Sequence, residues 1–448
     1  MSFSQQYTKW FKRLLPSPFS IAILLTIFVF VVSWYHSPKS GFELLIDWQK
    51  GLWSSNLLAF AFQMMLMLVL GHTLALSNTV DRLIIKIISP LKSTAQAAAV
   101  VTFTTIIVAF FNWGLGLIFG AILARKVGES FTDKQLPLNY PLVGAAGYVG
   151  LMVWHGGISG SALSKVAEQG HLKALGGDAS LPQAIYYGET VFSSMNITAF
   201  ALLIILIPVV FYIIGKKGSE YVPKLSIYKT SENNGMQTEG AERVDESKLL
   251  SNSIGILLVL LAGYVAVTYD GAFLGFITPN YINFSLLALS LLLHRNFKAF
   301  LTAVDDAIKG ASGILIQFPL YFGILTLMQS GGLIALLSEW FISVATPHTL
   351  PLFTFISAGI VNIFVPSGGG QWAIQGPIII EAATKLHVPL PKMIMALAYG
   401  DQLTNMLQPF WALPLLSITG LKAKDILPYT LVLFLIGLIV FVSVLLIF

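Results

Sequence analysis

Val365-Pro366-Ser367-Gly368-Gly369-Gly370-Gln371 interrupts an apolar run that would otherwise read as one helix. Asn112-Trp113-Gly114-Leu115-Gly116 does the same in the first half of the chain. Three glycines in a row weaken any helix. Bilayer hydrocarbon offers no hydrogen-bond partners, so broken backbone at that depth survives only where it lines a protein-walled, hydrated cavity. Paired interruptions at corresponding places in two halves point to a transporter binding site.

The surrounding composition fits a membrane. Of 448 residues, 56% are hydrophobic and 10% charged, with mean hydropathy +0.78. Soluble domains carry about 25% charged residues. Long apolar runs such as Leu57–Leu76 exclude a β-barrel, whose strands are short and alternating. There is no cysteine, hence no disulfide and no thiolate site. The net charge of +5 reports topology, not nucleic-acid binding. Lys9, Lys12 and Arg13 precede an apolar run from Ile21 to Val32, which ends in Ser33-Trp34-Tyr35-His36 and not in a small-residue cleavage site. It is read as a retained first span.

A spanning helix needs ~20 apolar residues. Spans are expected at 18–35, 57–76, 139–168, 187–214, 250–268, 279–294, 310–329, 391–419 and 426–448. Runs 95–127 and 349–385 are too long for one span, and their middles hold the glycine tips. Each is read as a re-entrant helical hairpin. With the N-terminus in the cytoplasm and both hairpins returning to their own side, the cytoplasmic segments hold 20 of the 26 Lys and Arg residues and the external ones 6. That satisfies the positive-inside rule, and a simple crossing at 95–127 would spoil it.

The polar stretch 216–249 reads as a flexible cytoplasmic linker between a first repeat half, 1–215, and a second, 250–448, with one extra span at 250–268. Gln63 and Gln317 sit in matching spans, each followed by a hairpin, a broken span and a last span. Order is preserved and direction reversed. The expected fold is thus an all-α polytopic membrane protein of inverted-topology repeats, each with a re-entrant hairpin and a broken transmembrane helix.

Glycines let a ligand approach backbone amides, and a half-helix starting near Gln371 turns its positive end to the cavity, a seat for a carboxylate. Candidate substrate contacts are Asn112, Trp113, Gly114, Gly116, Ser367, Gly368, Gly369, Gly370, Gln371, Trp372 and Gln375. Small-residue packing is the plain alternative for the glycines, and ordinary packing for Trp113, Trp372, Phe410 and Trp411. The broken spans carry Trp154-His155-Gly156-Gly157-Ile158-Ser159-Gly160-Ser161 and Tyr399-Gly400-Asp401-Gln402-Leu403-Thr404-Asn405. Ser159, Gly160, Ser161, Asp401, Thr404 and Asn405 are candidate ligands of a coupling ion, H+ or Na+. A charge at the bilayer centre costs ~2.5–3.5 kcal/mol, so Asp401 should face a wet cavity or bind a cation, unless it lies near the external interface with a structural role. His155 is read first as hydrogen-bonded structure and second as a proton relay. Glu189 and Glu381 read as interfacial.

At these residues the chain resembles the bacterial short-chain fatty acid transporter family, of the acetoacetate/butyrate uptake type. The strings that carry the likeness are Asn112-Trp113-Gly114, Gly157-Ile158-Ser159-Gly160-Ser161, Val365-Pro366-Ser367-Gly368-Gly369-Gly370, Ile374-Gln375-Gly376-Pro377 and Gln408-Pro409-Phe410-Trp411-Ala412-Leu413-Pro414. His155 departs from the glycine expected there. The resemblance implies an ion-coupled anion transporter, grouped in an ion-transporter-like superfamily, whose paired hairpins ride in a mobile domain.

The combined reading is a secondary active transporter of the bacterial inner membrane, multi-pass, with its N-terminus in the cytoplasm. It carries short-chain monocarboxylates between the two tips, coupled to H+ or Na+, with no other cofactor. Its partners are a small carboxylate and the lipid bilayer, not nucleic acid, and a homodimer is admitted. A dicarboxylate or amino-acid conjugate is the alternative cargo. It would want a second cationic anchor, and no arginine lies in a tip or broken span. An enzyme is disfavoured, because His-Glu-x-x-His, Gly-x-Ser-x-Gly and Asp-rich loops are absent. A channel lacks any ring-forming filter motif.

Overall fold

A computed structural model describes residues 18–176, 181–217, 225, 240–271, 274–364, 368–408 and 411–448. The charged N-terminus, most of the polar linker and Val365, Pro366, Ser367, Pro409 and Phe410 lie outside the described residues. All regular elements among the described residues are helical. The first half gives α1 (Pro18–His36), α2 (Gly41–Leu52), α3 (Ser55–Ala75), α4 (Asn78–Ile88), α5 (Thr94–Phe111), α6 (Trp113–Asp133), α7 (Tyr140–Tyr148), α8 (Ser161–Val166), α9 (His171–Gly176) and α10 (Ser194–Gly215). The second gives α11 (Lys248–Thr268), α12 (Pro279–His294), α13 (Phe297–Ile308), α14 (Ser312–Ser330), α15 (Leu333–Val344), α16 (Leu350–Phe364), α17 (Gly368–Lys385), α18 (Leu390–Thr404), α19 (Leu413–Thr419) and α20 (Ala423–Ile447).

Five of these helices are long and apolar enough to cross a membrane, within α3, α5, α10, α11 and α20, and shorter apolar helices accompany them. α11 presents Ile256, Leu257, Leu260, Leu261 and Tyr264 outward, an apolar surface suited to lipid. The protein is a multi-pass membrane protein.

Four helices were not legible as spans. α2, α4, α13 and α15 are 11–12 residues long and amphipathic. Each is too short to cross, and none falls in an apolar run of spanning length. Their starts carry local signals all the same: Ser40 and Glu43 form a capping box on α2, and Ser77 and Asn296 cap α4 and α13.

α5 and α6 form a helical hairpin. A single extended residue, Asn112, ends one and begins the other. Glycines let the arms close: a Cβ on Gly116 would lie 2.5 Å from Ala109 Cα, and one on Gly120 2.9 Å from Thr105 Cγ2. Pairing 109 with 116 and 105 with 120 is the signature of antiparallel arms. α5 is itself long enough to cross, at 18 residues or roughly 27 Å, yet the chain doubles back. α16 and α17 also fold back at their tip, where Gln371 Nε2 donates to Ala358 O at 2.9 Å. Beyond that point α16 packs chiefly on α18, and α17 on α15, α14 and α18.

The order of elements repeats. After α11, helices α12–α20 follow the order of α1–α8 and α10: a longer helix, a short amphipathic helix, a longer helix, a short amphipathic helix, two helices folded back on each other, a broken helix and a last long helix. The packing exchanges in the same manner. α1 and α2 pack on α14, α12 and α13 pack on α3, and α3 and α14 touch each other. The two halves therefore interleave in space.

Candidate functional site

Both expected broken spans are broken. In the first, α7 runs into a 3-10 turn, Val149–Met152, and the chain is unwound to Gly160 before α8. In the second, α18 ends at Thr404 and α19 begins at Leu413. These two unwound stretches and the two hairpin tips meet.

At the first tip, Asn112 Oδ1 accepts the Leu115 N–H at 2.8 Å, a side-chain cap on α6. The Trp113 N–H donates to Ser159 Oγ at 2.8 Å, and the Ile158 N–H to Phe110 O at 2.7 Å. The tip is thus stitched to the first unwound stretch. Its glycines serve close approach on three sides. Gly114 abuts the α3 backbone at Leu68, Gly116 abuts α5 at Ala109, and Gly120 abuts α7 at Gly147 O.

The second tip reaches the same place. A Cβ on Gly368 would lie 2.7 Å from both His155 Cε1 and Trp154 Cη2. Gly369 lies against Phe60 and Phe318, and Gly370 against Tyr321. Gln371 Nε2 also donates to Gln375 Oε1 at 2.7 Å. Trp372 sits apart from this cluster, its indole N–H on His171 Nε2 at 2.9 Å.

Asp401 and His155 join the two broken spans. His155 Nδ1 hydrogen-bonds Asp401 Oδ2, and both side chains are fully buried. His155 Nε2 takes the Ala162 N–H at 3.1 Å. A backbone N–H can only donate, so the ring proton is assigned to Nδ1, toward the carboxylate. Trp154 stacks on His155 at 4.6 Å. Around them, Gly156 N–H donates to Gln402 Oε1 at 3.0 Å, Asn196 Nδ2 to Gly156 O at 2.8 Å, and Tyr399 OH to Asn196 Oδ1 at 3.1 Å.

The expected coupling-ion residues divide into two groups linked by Asp401. Ser159, Gly160 and Ser161 lie on the His155 side. Thr404 and Asn405 lie around Asn362 of α16, whose Nδ2 donates to Asp401 O at 2.7 Å and to Thr404 Oγ1 and Asn405 Oδ1 at 3.0 Å. Three oxygens that would suit a small cation surround an amide nitrogen instead. Among the described residues no cluster of three or more His, Asp or Glu suits a metal ion.

Asn112 Nδ2, Trp113 Nε1, Trp154 Nε1, Gln371 Oε1, Asn362 Oδ1 and Asp401 Oδ1 are buried with no hydrogen-bond partner. Buried polar groups are nearly always paired, and each exception calls for a reason. Trp113 stands 5.6 Å from Trp154 and 5.4 Å from Trp411, ring to ring. Trp113 and Trp154 thus carry two unpartnered indole N–H groups in an aromatic cluster that includes His155, the partner of Asp401, while the Asn112 side chain lies at the first tip against Gly71 of α3.

Trp154, Asn362 and the His155 partnership were not assigned to the site from sequence. A separation of 246 positions between His155 and Asp401 leaves no local signal. Trp154 and Gln402 do fall within the unwound strings, and polarity in an apolar run was the available cue. Glu381 pairs with Lys385 at 2.8 Å, and Glu189 accepts the Tyr186 N–H at 3.0 Å.

Comparison with known proteins places the chain. Residues 1–448 match the family described as short chain fatty acid transporter. A protein of Escherichia coli (strain K12), provisionally named a short-chain fatty acid transporter, is 38% identical over 98% of this chain and 99% of its own. One from Haemophilus influenzae with the same provisional name is 37% identical over 95% of each. Among solved structures, the Alcanivorax borkumensis YdaH transporter, noted for an unusual topology, is similar with TM-score 0.61 at 13% identity, covering 96% of this chain and 98% of that one. Neisseria gonorrhoeae MtrF, of a class of antimetabolite efflux pumps, has TM-score 0.57 at 13% identity, covering 100% and 97%. These likenesses concern the fold alone. With a family match from end to end and relatives at 37–38% identity, the chain belongs to the short-chain fatty acid transporter family.

Proposed function

We propose that this chain is a secondary active symporter of short-chain monocarboxylates such as butyrate or acetoacetate, in the bacterial inner membrane with its N-terminus in the cytoplasm. Its halves are inverted-topology repeats whose hairpins are re-entrant. The substrate lies at the tips, its carboxylate taking the N–H groups of Asn112, Trp113 and Trp154 and its short chain resting on the tryptophans. The observation that carries this reading is the group of unpartnered buried atoms where both tips and both broken spans converge.

Coupling follows from charge. An anion brought beside the Asp401 carboxylate in a low-dielectric site is repelled, and a cation on Asp401 removes the repulsion. A proton serves this best. Asp401 Oδ1 is open to accept it, while Asn362 Nδ2 occupies the centre of the Thr404–Asn405 oxygens that would otherwise hold Na+. Alternating access is then movement of one bundle against the other around the site.

The test is uptake of labelled butyrate and acetoacetate into vesicles holding the purified protein, with pH and Na+ gradients imposed separately. Accumulation driven by an inward proton gradient is expected. Accumulation driven only by Na+ would reassign the ion to the Thr404 and Asn405 oxygens. Absence of transport of either acid under any gradient would sink the function.

A further inference from the structure

A cavity lies away from the tips. It has a volume of about 510 Å³ and is lined by Gln63, Lys165, Glu168, His171, Thr326 and Gln329 among others. It lies at the end of the molecule where α3 begins and α14 ends, the external end in the proposed orientation. Ligand pockets run to about 300–1,000 Å³, and this one falls in that range.

Lys165 is the fixed cation of its described lining. The residue is only 7% exposed, which is rare for lysine. Its ammonium lies 5.4 Å from the Phe60 ring centre, pairs with Glu168 and reaches Gln63 Oε1 at 3.3 Å. Gln63 Nε2 in turn donates to Glu168 Oε1 at 3.1 Å and Asn280 Oδ1 at 3.0 Å. His171 adds no charge. Burial lowers its pKa to about 3, and it accepts the Trp372 N–H as a neutral ring. Phe60 links the cavity to the second tip, since it also touches Gly369.

We infer that this cavity is an entry station for the carboxylate of the substrate, which replaces Glu168 on the Lys165 ammonium before moving past Phe60 to the tips. This rests on the transport function proposed above. A carboxylate partner already on Lys165 demonstrates that the ammonium can hold one, and Glu168 sits on the open side of the pair, with its side chain 22% exposed against 9% for Lys165. A single cation with a competing anion fits one carboxylate and disfavours a dianion, whose second charge would find no cation here.

The test is the concentration dependence of butyrate uptake under a fixed gradient. Lys165→Gln should raise KM about tenfold or more, the worth of one charge-assisted hydrogen bond, with Vmax within about twofold of wild type. Lys165→Arg should restore most of the affinity. Glu168→Gln removes the competitor and should lower KM about threefold or more. Thermal melting of each purified variant reports folding. If Lys165→Gln fails to fold, the Arg and Glu168→Gln variants decide the matter. A merely structural Lys165 predicts lower melting temperatures with unchanged KM in every folded variant, and that result overturns the inference. A wild type that carries no monocarboxylate overturns the proposed function first, so the two failures are distinguishable.

Discussion

At the scale of single residues, Asp401 has two separate duties. Its carboxylate meets His155 of the first half, and its carbonyl accepts from Asn362 of α16. Asp401→Asn keeps the size and the carbonyl contact but removes the charge. Gradient-driven accumulation should be lost, while exchange of butyrate down its own gradient should persist, because the contacts proposed for the substrate carboxylate are N–H donors elsewhere. Both assays on one purified preparation separate this from a structural role, which would lower yield and leave residual transport still driven by the gradient. Trp113 gives a milder test. Trp113→Phe keeps an aromatic face and deletes one unpartnered N–H. Losing a neutral hydrogen bond to substrate costs about 0.5–1.5 kcal/mol, a rise in KM of roughly two- to tenfold. An unchanged KM would remove Trp113 Nε1 from the substrate's contacts. Sequence exposed Asp401 because an ionisable residue in an apolar span stands out. It hid the His155 pairing, because contact between residues of different halves leaves no periodicity.

At the scale of elements, one glycine pattern covers two physical uses. Gly114, Gly116 and Gly120 face three different neighbours, and each lets another helix approach closely. Gly368 alone among the described tip glycines faces His155 and Trp154. Gly116→Ala and Gly368→Ala should therefore fail differently. At Gly116 the new methyl meets the Ala109 backbone, which cannot move aside without opening the hairpin. Overpacking of this kind costs about 1–3 kcal/mol, and a lower melting temperature should follow. At Gly368 the methyl meets side chains of the site, so transport should fall with melting nearly unchanged. If Gly368→Ala also melts early while its residual uptake keeps a normal KM, the second tip is a packing seam like the first. Sequence located both tips because glycine and proline within apolar runs are conspicuous. It left the two uses undivided, since which neighbour a missing side chain admits is a tertiary fact. The short helices α2, α4, α13 and α15 escaped for another reason. Eleven or twelve residues with one polar face read equally well as connections when only long apolar runs are sought.

At the scale of the whole molecule, sides can be assigned by chaining contacts. Lys134 Nζ donates to Ser89 O at 3.1 Å, the Asn139 N–H to Thr94 Oγ1 at 3.0 Å, and Tyr140 OH to Thr419 O at 2.9 Å. These residues share one end. Ser33 Oγ donates to Leu327 O at 3.1 Å, which brings the ends of α1 and α14 together at the other. In the orientation proposed from the Lys and Arg positions, the first end is the cytoplasmic one. α6 returns from its tip to Lys134 at that end. If the halves are inverted repeats, α17 must return from its tip to the opposite one, carrying Lys385 outside. The chain has no cysteine, so one introduced at either place reports alone. Both positions are exposed, and losing the surface pair of Lys385 with Glu381 costs little. Cysteine at 134 should react with an impermeant maleimide only in inverted vesicles, and cysteine at 385 only in intact cells or spheroplasts. Reaction of both from one side would show that the hairpins share an entry face. The halves would then be parallel copies, and the midplane meeting of tips from opposite sides, on which the transport mechanism depends, would be lost.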